Sequence, residues 1–401
     1  MRSTLPGPSL FALLLVASGC GAPAGETGED EGELKACEPI ATPVIGGAGA
    51  QQLERVASRD QIPGLADQPT ARGQVLGVLV AFDGRLHLGY GDYSDNTGPI
   101  AMHAWDPRVG DFVDLGVAPT EEVQRLFAAH GALYSPATDP DGHQESGGVY
   151  RLDCGATAWS VQTPIPGGVH VYDVAAQGDT LYACTGSLNG QPALLMASED
   201  RGASWAEVLR RESAADRFSR FYYLGATPEL LFVSGRDLPD PGQAFAWIRR
   251  GEAAFEQLDE PPSGSLVPIT LGDELVIGAF AGTPGRSEYD ASYRVVGQGL
   301  VEDQPWPVHA DGVTEVITWA RQESDGDRGE ALLVLMERAD GSVSVHRSED
   351  LGAGAQGWEQ VASMAVEGET FVSMALLFND LYLGTRSGSL YVLREFEAPA
   401  G

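Results

Sequence analysis

The sequence contains almost no lysine. Lys35 is the only one among 401 residues, so nearly all of the 25 positive charges are arginines, against 57 acidic residues and a formal net charge of -32. A surface of this charge repels phosphates, which excludes nucleic acid as a partner. It keeps the protein soluble, and we expect a monomer.

Long periodic helical segments are also scarce. The chain has 51 glycines and 25 prolines, which favours many short strands joined by turns. Its hydrophobic fraction of 43% is ordinary for a globular protein, so a disordered chain is excluded.

The first twenty residues, MRSTLPGPSLFALLLVASGC, have the layout of an export signal. The apolar stretch from Leu10 to Ala17 is too short to span a bilayer but has the length of a secretory h-region. Residues 17–20 resemble the lipobox of bacterial lipoproteins, which implies that Cys20 is lipidated. Because Gly21 follows rather than Asp, the resemblance implies a lipid-anchored protein of the bacterial cell envelope, at the outer membrane, on its periplasmic side or surface. Ordinary secretion and no export are the alternatives.

Residues 21–50 consist mainly of small residues, prolines and acids. Such a segment cannot bury enough apolar area to offset the entropy of ordering it. We therefore predict a signal peptide at 1–20, a flexible acidic tether at 21–50 and a folded domain at 51–396.

One pattern of short apolar runs recurs along the folded domain. The second run of each unit begins at Leu86, Leu133, Leu181, Leu230, Leu275, Leu332 and Leu381. Successive leucines are 47, 48, 49, 45, 57 and 49 residues apart. Repeats of this length predict an all-β, seven-bladed β-propeller of four-stranded antiparallel blades, since each small sheet must stack on its neighbours to bury both faces.

The seventh unit lacks its closing strand, because only EFEAPAG remains after Arg394. Residues 53–58, LERVAS, read like the closing strand of the sixth unit, WEQVAS at 358–363. We predict that an N-terminal strand in 51–58 completes the last blade beside residues 389–394 and removes the open sheet edge.

The octapeptide SEDRGASW at 198–205 fits Ser-x-Asp-x-Gly-x-Ser/Thr-Trp. It resembles the Asp-box of BNR-repeat, sialidase-like propellers, and degraded copies lie at 348–358 and 153–159. The resemblance implies a turn between the third and fourth strands of a blade, on the face opposite the ligand-binding one. It therefore implies a structural role for Ser198, Asp200, Gly202, Ser204 and Trp205.

On that opposite face, long polar loops follow the second strands of the first five units, at 91–99, 135–148, 185–192, 234–243 and 279–290. We expect a site where such loops converge near the axis. Arg217 and Arg220 begin the innermost strand of the fourth blade, whereas Arg236 and Arg286 fall in loops. The candidate ligand-binding residues are Arg217, Arg220, Arg236, Arg286, His170 and His143.

Three groups of loop residues have side chains that could bind a metal. Asp139, Asp141 and Glu145 surround a glycine as in a calcium loop, but they depart from the EF-hand pattern, which favours a solvated turn. The similar group at 92–96 is interpreted in the same way. Loop histidines 143, 170 and 309 lack any zinc-binding spacing. We predict no metal and no cofactor.

An enzyme is the main alternative to a binding protein. Sialidases clamp a substrate carboxylate with three arginines and use a Tyr-Glu pair and an Asp acid. The chain has no Phe-Arg-Ile-Pro motif, its arginines do not recur at equivalent blade positions, and GxSxG, P-loop and HExxH motifs are absent from the sequence. The sequence thus favours a noncatalytic protein, with an extracytoplasmic glycoside hydrolase or lyase of sialidase-like fold as the alternative.

Besides Cys20, three cysteines remain, which is an odd number for an oxidising compartment. Cys154 falls in a turn on the Asp-box face, which the closing N-terminal strand also enters. We therefore predict a Cys37–Cys154 disulfide and a buried free thiol at Cys184.

These observations predict a noncatalytic cell-envelope lipoprotein that binds a protein or carbohydrate ligand on the propeller face opposite the Asp-box. Its lipid anchor joins it to the membrane. A purely structural envelope protein is the third possibility.

Overall fold

A computed structural model describes residues 53–138, 147–161, 164–186, 188, 190–239, 243–280, 289–307, 316–322, 331–337, 342–378, 380–394 and 396. Over these residues the fold is all-β, with small antiparallel sheets in a β-propeller arrangement. None of the helices in this part of the chain is long and apolar enough to cross a membrane.

The strands of the first half of the fold are β1 (Leu53–Ala57), β2 (Val78–Phe82), β3 (Arg85–Gly89), β4 (Ile100–Asp106), β5 (Asp111–Ala118), β6 (Phe127–Ala129), β7 (Ala132–Pro136), β8 (Val149–Asp153), β9 (Ser160–Val161), β10 (His170–Gln177), β11 (Thr180–Gly186), β12 (Ala193–Ser198) and β13 (Ala206–Arg211). Those of the second half are β14 (Phe218–Ala226), β15 (Leu230–Leu238), β16 (Ala244–Arg250), β17 (Glu256–Gln257), β18 (Ser265–Leu271), β19 (Glu274–Phe280), β20 (Tyr289–Val296), β21 (Gly299–Asp303), β22 (Val316–Gln322), β23 (Ala331–Glu337), β24 (Val343–Ser348), β25 (Glu359–Met364), β26 (Phe371–Leu377), β27 (Asp380–Thr385) and β28 (Leu390–Leu393). Short 3-10 helices span Arg59–Gln61 and Leu351–Gly357.

Five sheets have four strands each, in the orders β2-β3-β4-β5, β6-β7-β8-β9, β18-β19-β20-β21, β22-β23-β24-β25 and β1-β28-β27-β26. The expectation of seven separate sheets is wrong in one respect. Strands β10–β13 and β14–β17 form one eight-stranded sheet. The two halves of this sheet are joined at one point, where Gly186 of β11 pairs with Arg220 of β14.

The predicted closure by the N-terminal strand is confirmed. Strand β1 pairs antiparallel with β28, with Leu53 opposite Leu393 and Ala57 opposite Leu390. Arg394 adds ion pairs to Glu54 of β1 at 3.3 Å and to Asp380 of β27 at 2.8 Å. Strand β1 therefore covers the outer edge of β28 and gives the last sheet its fourth strand.

The repeated leucines have the predicted positions, because each lies at or next to the start of the second strand of its unit. Most of their side chains are fully buried, as expected for strands covered on both faces by neighbouring sheets. The core is divided into clusters that join one sheet to the next. Tyr134 and Val149 of the second sheet, for example, pack with Val174 and Leu181 of the eight-stranded sheet.

The turn at 198–206 is held by hydrogen bonds between its own residues. Asp200 accepts bonds from the Ser198 hydroxyl (2.8 Å), the Ser204 backbone N–H (2.8 Å) and the Ser204 hydroxyl (2.6 Å). Gly202 supplies the positive φ of 90° that the turn requires. The Trp205 ring packs into the core cluster shared with the second sheet. The Asp200 bonds lie within the turn itself, and a structural role for these residues stays a prediction.

Cys154 follows β8 and is disulfide-bonded. Its partner lies outside the described residues, as do Cys20 and Cys37, and Cys37 stays the predicted partner. Cys184 is a free and fully buried thiol in β11, as predicted.

Candidate functional site

The antiparallel strand order places two kinds of connection at one end of the sheets. These are the loops between second and third strands and the segments that lead from one sheet to the next. We call this end the upper face, and the end that carries the 198–206 turn the lower face. Among the residues that the structure describes, the predicted ligand-binding residues Arg217, Arg220, Arg236 and His170 belong to the upper face.

Strands β10 and β14 share a local irregularity at their upper ends. A register shift lies between Val171 and Asp173 in β10, and another between Phe221 and Tyr223 in β14. The extra residue is Tyr172 in the first case and Tyr222 in the second. Such bulges re-aim side chains and are common beside functional sites.

The two bulged tyrosines contact each other. Their ring centroids are 4.7 Å apart at an interplanar angle of 53°. His170 stacks on Tyr172 with a centroid distance of 5.7 Å and an angle of 24°. The His170 Nδ1 atom lies 3.2 Å from the carbonyl oxygen of Thr138. The bulges thus line up an aromatic row along the first strands of the eight-stranded sheet.

Arginines border this row. The Arg220 guanidinium lies over the Tyr172 ring at 5.6 Å and over the Phe218 ring at 4.7 Å. Arg236 of β15 is the register partner of Arg220. The charges of Arg220 and Arg236 both act on the Tyr222 phenol, as does the hydroxyl of Tyr93. Tyr93, from the loop between β3 and β4, thus belongs to the electrostatic surroundings of Tyr222.

The first sheet contributes a second arginine–tyrosine contact. Arg72, on the segment between β1 and β2, lies over the ring of Tyr93 at 4.6 Å. Its Nε atom is 3.4 Å from the Asp92 carboxylate. The backbone N–H of Tyr93 donates to the carboxylate of Glu122 at 3.4 Å. These contacts fix Tyr93 while leaving 36% of the Arg72 side chain exposed.

Arg125, on the segment between β5 and β6, completes the group. Its guanidinium lies over the Tyr223 ring at 5.1 Å, and its Nε atom is 3.9 Å from the buried carboxylate of Asp173. The Arg125 side chain is 29% exposed. We call the whole set the arginine–tyrosine cluster. Its members are Arg72, Tyr93, Arg125, His170, Tyr172, Arg220, Tyr222, Tyr223 and Arg236.

Burial raises the pKa of Tyr222 and of Tyr223, and the nearby charges of Arg220 and Arg125 only partly oppose this. Both phenols are therefore protonated and neutral around pH 7. The cluster thus combines four guanidiniums with neutral phenols that can donate hydrogen bonds. Two of the four arginines face carboxylates, Arg72 that of Asp92 and Arg125 that of Asp173.

The structure brings together three of the predicted site residues: Arg220, Arg236 and His170. Arg217 is exposed on the turn before β14 and does not join them. The prediction that His170 and Arg236 lie in loops is wrong, because His170 begins strand β10 and Arg236 lies in β15. The reason is that these strands extend further toward the upper face than their apolar patterns indicate.

The predicted residues Cys20, Cys37, Asp139, Asp141, His143, Glu145, Arg286 and His309 lie outside the described residues.

The sequence reasoning missed Arg72, Arg125 and all four tyrosines. The tyrosines carried a usable signal, because HVY at 170–172 and RFY at 220–222 place a basic residue two positions before an aromatic one. Within the described ranges, no group of three His, Cys, Asp or Glu side chains is placed to hold a metal ion.

Comparisons with known proteins define the fold. No protein-family model matches the chain, and no curated protein matches it. A chain from the crystal structure of the mitotic checkpoint complex superposes with a TM-score of 0.51 at 11% identity, covering 95% of this chain and 98% of that chain. The WD40 domain of Neurospora crassa Pan2 gives 0.51 at 7% identity, with coverages of 87% and 97%. A polysaccharide lyase, PL25-ulvanlyase, gives 0.45 at 11% identity, with coverages of 90% and 96%. The chain is thus a β-propeller protein.

Proposed function

We propose that this protein is a noncatalytic binding protein whose arginine–tyrosine cluster holds an acidic carbohydrate on the upper face. The observation that carries the proposal is the meeting of four arginines with stacked aromatic rings. Guanidiniums bind carboxylate and sulfate groups in a bidentate manner. Aromatic rings supply flat apolar surface with polar edges. A saccharide bearing acidic groups matches both features better than a neutral one does.

Binding rather than catalysis is favoured by the state of the acidic groups that touch the cluster. The Asp92 carboxylate accepts from the Thr70 hydroxyl at 2.8 Å and faces Arg72. The Asp173 carboxylate accepts two backbone N–H groups. Both carboxylates are buried and already hydrogen-bonded, so neither is presented to a ligand on the upper face. General acid–base catalysis at neutral pH needs an accessible group whose pKa lies near 7. Burial raises the pKa of Tyr222 and of Tyr223 further above that value.

The finer architecture belongs to the same proposal. The eight-stranded sheet has two four-stranded halves joined at a single residue pair, so we count it as two blades and the ring as seven. The side-chain bonds of the 198–206 turn support its assignment as an Asp-box. Because Leu53 pairs with Leu393 at the lower end of β28, the chain enters the fold from the lower face.

A binding assay with charge-matched glycans tests the proposal. Calorimetry on the full chain in detergent compares polygalacturonate with its methyl ester, and dextran sulfate with dextran. We expect binding of the acidic member of each pair and none of the neutral one. Arg220→Gln should weaken binding at least about tenfold, a loss of ~1.4 kcal/mol, whereas Arg217→Gln, the control outside the cluster, should not.

Two results would contradict the proposal. Equal binding of charged and neutral glycans would show that the arginines do not select acidic groups of the ligand. Cleavage of any of these polymers, followed by reducing-end and ultraviolet assays, would show an enzyme instead. If the protein bound an acidic protein segment and no glycan, its ligand would be a protein and not a carbohydrate.

A further inference from the structure

Asp173 lies below the arginine–tyrosine cluster, at the junction of three separate chain segments. Only 6% of the residue is exposed. One carboxylate oxygen, Oδ1, accepts the backbone N–H of Val174 on its own strand β10 at 2.9 Å. The other, Oδ2, accepts the backbone N–H of Leu224 on β14 at 3.0 Å. The same carboxylate faces Arg125, on the β5–β6 segment, at 3.9 Å.

Each of these contacts adjoins a cluster residue. Asp173 directly follows Tyr172, and Leu224 directly follows Tyr223. Both N–H groups lie just past the bulges that shift the register of β10 and β14. A bulge disrupts the local ladder of backbone hydrogen bonds, and a buried N–H without an acceptor is costly. The carboxylate supplies the acceptors that this irregular backbone needs.

We propose that Asp173 is the positioning residue of the arginine–tyrosine cluster, where its carboxylate holds β10, β14 and Arg125 in one fixed arrangement. This inference rests on the proposed binding function for its effect on a ligand. Its structural part does not depend on that function.

The energetics favour a positioning role over simple stabilisation. Burial raises the pKa of Asp173, although Arg125 and the two backbone N–H groups oppose this. The ionised carboxylate therefore costs stability where it lies, since desolvation outweighs its compensating contacts. Its contacts therefore act locally: they give acceptors to two backbone N–H groups and hold Arg125 in place.

Cys184 provides an independent reporter of this junction. It is the register partner of Asp173 across β10 and β11, and its thiol is fully buried. A thiol reagent reaches it only when the strands separate locally, so its labelling rate measures how firmly the junction is closed. Cys184→Ala identifies the part of the signal that comes from this thiol.

The test combines labelling and binding in the full chain, with DTNB as thiol reagent and polygalacturonate as ligand. Asp173→Asn removes the charge and one acceptor, and Asp173→Ala removes both acceptors. We expect Cys184 labelling to accelerate at least about tenfold in Asp173→Asn and further in Asp173→Ala, with affinity lowered about tenfold in the first. Asp106→Asn is the matched control, because Asp106 is equally buried and paired with Arg85 and Arg108 away from the cluster. It should leave both readouts within about twofold.

The urea midpoint separates positioning from global destabilisation. It should fall no further in Asp173→Asn than in Asp106→Asn. Labelling of Asp173→Asn at the wild-type rate overturns the inference, as does unchanged affinity in a chain that binds polygalacturonate. If the wild type binds no acidic glycan, the proposed function fails, and the labelling rate alone still decides the role of Asp173.

Discussion

Arg220 of β14 and Arg236 of β15 lie directly opposite each other in an antiparallel strand pair. Directly opposed side chains project from the same face of a sheet, and like charges there repel. The chain thus places two arginines on one face of the sheet, and the charges of both act on the Tyr222 phenol. Such a pair suits an anion with two acceptor oxygens, which can be shared between the two arginines.

A double-mutant cycle on this pair tests whether the two arginines act on one group of the ligand. Arg220→Gln and Arg236→Gln should each weaken polygalacturonate binding by ~1–2 kcal/mol. Because one anion is shared, the double variant should lose clearly less than the sum of the two, as measured by calorimetry. Arg250→Gln, at the lower face, is the control and should bind like the wild type. Strict additivity would indicate two independent contacts.

Gly186 is predicted to be indispensable for the shape of the site. A Cβ atom at this position would lie 2.7 Å from Cγ of Arg220 and 2.8 Å from a ring carbon of Tyr172. Gly186→Ala should therefore displace both side chains, lower affinity and cost ~1–3 kcal/mol of stability by overpacking. Affinity by calorimetry and the urea midpoint measure the two effects.

Gly299→Ala is the matched control for that substitution. A Cβ atom there meets nothing closer than 3.7 Å, and the φ of Gly299 is not positive. Gly299→Ala should keep wild-type affinity and stability. If Gly186→Ala behaved in the same way, Arg220 and Tyr172 would not need the positions that the structure gives them.

The repeat and its closure could be predicted because both depend on local patterns. Leucines such as Leu181 and Leu381 mark strands that are buried on both faces, and LERVAS at 53–58 shares its pattern with the closing strand of another unit. Strand type and period require no knowledge of distant contacts. The pairing of Leu53 with Leu393 then follows from the unfilled last sheet.

The site was only partly predictable because its members do not share a repeat position. Arg72 and Arg125 lie on segments between sheets, where apolar periodicity gives no signal. Tyr172 and Tyr222 face the cluster because of bulges, and a bulge changes the alternation on which strand predictions depend. The joining of β11 to β14 is also a tertiary effect, since it depends on one close approach at Gly186.

The turn at 198–206 is predicted to contribute to stability but not to binding. Asp200→Ala removes the acceptor of three side-chain and backbone bonds within the turn. The thermal midpoint should fall, whereas affinity for polygalacturonate should stay unchanged because the turn lies on the lower face. Glu199→Ala, an exposed neighbour, is the control and should alter neither quantity. Weaker binding by a folded Asp200→Ala variant would mean that the ligand binds at the lower face and not at the arginine–tyrosine cluster.

His87 is predicted to make the first two sheets sensitive to acid. Its ring lies in the core with edge contacts to Phe82 at 5.9 Å and to Trp159 of the second sheet at 6.2 Å. Burial lowers the pKa of His87 to about 4, against 6.5 for an unperturbed histidine. Between these two values the unfolded chain binds more protons than the folded one, so the free energy of unfolding falls as the pH drops.

The expected loss is ~3 kcal/mol on going from above pH 6.5 to pH 4. Because other groups also titrate in this range, the measurement is a difference: urea unfolding of the wild type and of His87→Phe at pH 7 and pH 4.5. The wild type should lose more stability than His87→Phe by a large part of that amount. His130→Gln removes a histidine whose ring bonds the carbonyl of Gly178 outside this core, and it should keep the wild-type difference. If the wild type and His87→Phe lost the same free energy of unfolding between pH 7 and pH 4.5, His87 would be solvated in the folded chain. Its ring would then not pack against Trp159 in a dry core.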